Sequence, residues 1–146
     1  MRLQFGSDGQ FVEATAPAEL ASHEVTVLDV YGSLLFAGAR TLQTRLPGPS
    51  GCERPVVVHG RTTLGATGFI VLADYAERLR TSGGHLFLNG VAPQLLEQLQ
   101  RTHRVDLRDA VTVVPGSETM LASTVEVYHE AETWLARSVA WFECRC

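Results

Sequence analysis

From residue 23 onward, short apolar runs alternate with stretches whose apolar residues recur at helical spacing, and this alternation constrains the fold more than any other feature. "HEVTVLDVYG" (23–32) puts Val25, Val27 and Asp29 on one face and Thr26, Leu28 and Val30 on the other, so it predicts a strand. Ser33 is placed to cap the first helix. Leu35, Ala39, Leu42 and Leu46 then fall at steps of 4, 3 and 4, one face of a helix that Pro47 stops. "VVVHG" (56–60) opens with three valines, as a buried parallel strand does.

A second helical stripe comes next in Phe69, Leu72, Ala76 and Leu79. Arg78 and Arg80 suit its C-terminal dipole, and Ser82-Gly83-Gly84 ends it. "HLFLNG" (85–90) predicts a third strand. Pro93 opens a helix carried by Leu95, Leu96 and Leu99. "AVTVVPG" (110–116) predicts a fourth strand, and a long amphipathic helix runs from about Ser123. Ahead of the series, "MRLQFGSDGQFVEA" reads as a hairpin turning at Ser7-Asp8-Gly9, with "TAPAELAS" connecting it onward. A hairpin followed by β-α-β-α-β-α-β-α predicts an α/β fold. Its sheet is mostly parallel, with right-handed crossovers. The chain's 146 residues suit one domain over 1–146, with residues 1–20 the hairpin and connection and 121–146 the last helix and tail.

The net charge of −4 and the absence of long like-charge runs argue against general affinity for nucleic acid or acidic lipid. "MRLQFGSDGQ" lacks the apolar core of a signal peptide, and no apolar run approaches the length of a membrane span. Cys52, Cys144 and Cys146 make an odd count and read as reduced cytosolic thiols. "CRC" at the tail has too few neighbouring ligands for a metal site, so no metal is expected.

Dinucleotide, phosphate-loop, serine-hydrolase and zinc-protease signatures are all absent. The five histidines show no ligand spacing. His59 and His85 read as strand-end residues, packed or solvent-facing, and Asp29 as a strand residue bonded to a loop or as a buried acid. The turn at 60–68, "GRTTLGATG", admits two readings. Its N–H groups and the hydroxyls of Thr62, Thr63 and Thr67 precede a helix N-terminus, a generic anion site. The plainer reading, which the residues favour, is a helix N-cap with glycines that permit the turn.

The last helix carries two apolar stripes. Val125, Tyr128, Leu135 and Phe142 form one, with Ala131 and Val139 beside it; Val127, Trp134 and Trp141 form the other. So wide an arc leaves Trp134 and Trp141 either partly exposed or in contact with another subunit or domain.

This order, with three stretches, resembles a STAS domain, the fold shared by anti-sigma factor antagonists and the C-terminal domain of SulP-type anion (sulfate) transporters. The stretches are "VTVLDVYGSLLFAGARTL" (25–42), "RTTLGATGFIVLADYAERLRTSGGHLFLNGV" (61–91) and "PQLLEQLQRT" (93–102), within a resemblance spanning roughly residues 20–140. Antagonists typically carry Asp-Ser-[Ser/Thr]-Gly where the second helix starts, and a kinase phosphorylates a serine there. The aligned residues here are Gly65, Ala66, Thr67 and Gly68: the acid is missing, and a methyl replaces the first hydroxyl. The resemblance therefore implies the transporter branch. That branch is a non-catalytic cytoplasmic module regulating through protein–protein or intramolecular contacts, its partner the parent's membrane domain, another protein or a second copy. The alternative it implies is a free-standing antagonist or stressosome-type protein that binds an anti-sigma kinase. A small enzyme using the turn as an oxyanion or phosphate site is disfavoured, since no base, nucleophile or metal cluster accompanies it. The resemblance also implies a regulatory loop at Thr63 and Gly65 to Gly68. No cofactor is expected beyond weak nucleotide binding, at Gly32 and Ser33 in the loop 31–34 and at Arg61, Thr62 and Thr63 in the loop 60–67.

Overall fold

The N-terminal hairpin supplies one edge of the sheet. In the computed structural model, which describes residues 2–6, 10–30, 36–49, 55–60, 66–91, 111–115 and 122–143, β1 (Arg2–Phe5) pairs antiparallel with β2 (Phe11–Ala14), Arg2 opposite Ala14 and Phe5 opposite Phe11. Gly6 N–H donates to Gln10 C=O at 2.7 Å and closes the pair. The other side of β1 joins β3 (Thr26–Val30), also antiparallel, with Leu3 opposite Val27. From β3 the pairing becomes parallel through β4 (Pro55–Gly60), β5 (His85–Val91) and β6 (Val111–Pro115). The result is one six-stranded sheet in the order β2-β1-β3-β4-β5-β6. Its antiparallel margin and parallel body match the expected α/β architecture.

Three helices are described: α1 (Phe36–Arg45), α2 (Ala66–Thr81) and α3 (Ala122–Glu143). Pro47 follows α1, as its lack of a helical N–H requires. α2 ends where the Ser-Gly-Gly run predicts, in a Schellman motif. Gly84 N–H donates to Leu79 C=O at 2.8 Å and Gly83 N–H to Arg80 C=O at 3.0 Å, with Gly83 at φ 76°. The helix expected from Pro93 lies outside the described residues.

Strand alternation divides the core between the two sheet faces. Leu28, Leu86, Leu88 and Val111 pack with Leu42 of α1 and with Phe69, Leu72, Ala76 and Leu79 of α2. Val27 and Phe87, one residue out of phase, pack with Leu3 and with Val127 and Ala131 of α3. Helices therefore cover both faces of the parallel strands, which is why β3 and β5 are buried on consecutive residues.

α3 meets the sheet along one line of small and medium side chains. The fully buried line is Thr124, Val127 and Ala131, whereas Val125, Tyr128 and Leu135 are only half-buried. The physical reason is size. The short side chains at 124 and 131 let the helix backbone approach the sheet, so the axis of contact runs through them and the bulkier residues fall to either side.

α1 and α2 are also joined by a polar contact. The Tyr75 hydroxyl donates to the Pro47 carbonyl at 3.0 Å, inside the core. Tyr75→Phe keeps the ring and strands that carbonyl. The expected loss is about 0.5–1.5 kcal/mol, measured from the urea midpoint with an unchanged slope.

Candidate functional site

β3, β4 and β5 run in the same direction, so their carboxyl ends form one edge of the sheet, the usual place for sites in open α/β sheets. β4 ends at Gly60 and α2 begins at Ala66, which sets the N-terminus of α2 at that edge. Of the predicted regulatory loop, Ala66, Thr67 and Gly68 form the first turn of α2. Thr67 is half-buried and Gly68 buried. No acid stands in that turn. One turn further, Ile70 is 54% exposed, a large apolar side chain in solvent beside Thr67. Gly32, Ser33, Arg61, Thr62, Thr63 and Gly65 lie outside the described residues, as do Tyr31, Leu34 and Leu64 of the two predicted nucleotide loops.

Among the described residues, the corner offers backbone N–H groups and the hydroxyl of Thr67. Ala66 has no group to carry phosphate. Among the described residues no three or more His, Cys, Asp or Glu side chains are gathered where they could hold a metal ion.

Sequence reasoning misses a polar contact at the same edge, on the α3 face. Asp29, His59 and Asn89 are register partners on β3, β4 and β5. Asp29 and Asn89 are buried, and Asn89 Nδ2 donates to the buried Thr124 Oγ1 at 3.1 Å. This contact seats the first turns of α3. The available signal is positional: residues 59 and 89 each lie one before the end of a predicted strand and residue 29 three before, and parallel pairing brings the three level.

A second contact holds α3 at the opposite edge. His85 packs at the start of β5, as a strand-end residue. Its Nε2 and Thr112 Oγ1 are hydrogen-bonded at 2.8 Å. Its ring stacks on Trp134 with centroids 5.4 Å apart and planes at 26°, and meets Phe87 edge-on at 4.9 Å. Burial pushes the imidazole pKa below its ordinary value. The indole face offers an imidazolium about 0.5–2 kcal/mol of cation–π attraction. Removing an ion from water costs several kcal/mol, so desolvation wins and the neutral ring is the packed form. Trp134, expected either partly exposed or at an interface, is half-buried and spends part of its surface on His85 of its own sheet. The Trp141 side chain lies outside the described residues.

Two other groups shift without bearing on a site. The Arg80 hydrogen bond holds exposed Glu77 low, and burial, helped by Glu132, pushes Tyr128 up. No described helix is long and apolar enough to cross a membrane. Comparison with family models, with curated proteins and with solved structures finds no match to this chain.

Proposed function

We propose that this chain is a non-catalytic STAS-like module that regulates by docking, acting as the cytoplasmic domain of a SulP-type anion transporter. The observation that carries the reading is the corner after β4. It stands at the carboxyl edge of the parallel strands, opens α2 on Ala66-Thr67-Gly68, and has neither an acid nor a first hydroxyl in that turn. The hairpin joined to β3 and the parallel run beyond it support the same fold. A corner of this composition is suited to contact, and exposed Ile70 gives it an apolar point for a protein partner. The partner regulates by binding one conformation better than another.

The test pairs two measurements. The chain is titrated against a detergent-solubilised SulP-type membrane domain, with Ile70→Asp as the comparison. It is also incubated with an anti-sigma kinase and ATP. The expected result is saturable binding that Ile70→Asp weakens about tenfold, on the order of 1.4 kcal/mol, and no phosphate incorporation. Stoichiometric labelling at Thr67 overturns the reading in favour of a free-standing antagonist. Nucleotide sensing drops out if GTP, GDP and ATP leave the amides of Gly32, Ser33 and Arg61 to Thr63 unmoved.

A further inference from the structure

The two polar contacts of α3 sit at opposite ends of β5. Thr124 meets Asn89 at the carboxyl end, and Trp134 meets His85 at the amino end. Ten helical residues rise about 15 Å, and the four strand steps from 85 to 89 span about 13 Å. The helix therefore lies along β5 in the opposite direction, held at both ends. Only one of the two holds can titrate.

We propose that His85 is a protonation-sensitive latch: as a neutral ring it fixes the middle and C-terminal part of α3 to the sheet, and its protonation in mild acid releases that part. Among the described residues, those that meet His85 carry no counter-charge. Its register neighbour on β4 is Pro55, β6 presents Thr112, and β5 presents Phe87. α3 presents Trp134, whose charged neighbours one turn away, Glu130 and Arg137, are exposed. An imidazolium formed there finds no anion among these neighbours to replace the water it lost, while in the released helix it is hydrated.

The sign follows from linkage. The packed pKa lies below that of the released ring, about 6.5. The packed form is fully favoured above that value and loses ground as pH falls from it toward the packed pKa. Release leaves the Asn89–Thr124 contact intact, because neither group titrates in this range.

The test is amide hydrogen exchange of the full chain at pH 7.5 and 5.0, corrected for intrinsic rates, beside NMR titration of the His85 ring. Protection of residues 131–138 is expected to fall at least tenfold at pH 5.0, with residues 72–79 of α2 changing less than twofold. His85→Phe keeps an apolar ring that cannot titrate and is expected to abolish the difference. An imidazole titrating above 6.5 in the wild type overturns the latch, and so does an equal acid response in His85→Phe. If that variant does not fold, the wild-type titration and the contrast between α2 and α3 still decide.

Discussion

Phe87→Ala and Leu88→Ala are each expected to destabilise the protein severely, although the two residues are adjacent on one strand. The first should cost about 3–5 kcal/mol and the second about 2–5 kcal/mol. For a chain of 146 residues, the Phe87 loss corresponds to a melting temperature lower by about 10–16 °C. Consecutive strand residues point to opposite faces, so in a sheet covered on one side only one of the pair would matter. Here Phe87 is enclosed by Val27, Val127 and Ala131 beneath α3, and Leu88 by the α1 and α2 cluster, each at 2% exposure or less. Calorimetry of both variants checks the claim. A cost below about 1 kcal/mol at either position would mean that its face is not covered as described. The two-sided core also bears on the proposed function. With both faces of β5 occupied by the chain's own helices, a partner does not meet the sheet there.

What can be read from the sequence is what neighbouring residues decide among themselves. Alternation in 25–30, the 4-3-4 spacing from Leu35 to Leu46, and the Ser-Gly-Gly stop at 82–84 each express a local constraint, and each marks an element or boundary that the fold contains. Thr67 is an exception: the glycine–threonine pattern reads as an N-cap, but α2 already begins at Ala66, so Thr67 lies inside its first turn. Register and depth are not legible. Nothing local says that Asn89 will stand beside His59 and reach Thr124, or that His85 will lie under an indole 49 positions later. Periodicity does not say which line of the two α3 stripes faces the sheet, for a related reason. It ranks residues by hydrophobicity, but the line nearest the sheet is set by how closely the backbone can approach, and Thr124 and Ala131 win there by being small.

Ala131→Glu is expected to have an effect as large as any truncation, with a pH dependence that identifies its cause. Ala131 is fully buried on the α3 line that faces Phe87 and Val27. A carboxylate introduced there has no cation among the residues of that cluster. An uncompensated buried charge costs about 3–5 kcal/mol. Burial raises the pKa of the introduced acid above its usual value of about 4.3. Part of the penalty is therefore avoided once the group is neutral, and the stability deficit relative to the wild type shrinks as pH falls toward 5. Ala131→Leu separates charge from bulk: overpacking costs about 1–3 kcal/mol and has no pH dependence of its own. The wild type carries its own acid response from His85, so deficits are compared in a His85→Phe background. Neighbouring Glu132 is exposed, and Glu132→Ala should stay within about 0.5 kcal/mol. Urea midpoints at pH 8 and pH 5 check the set. A Glu variant as stable as the wild type at pH 8 would remove α3 from the sheet, and with it the covered face of β5.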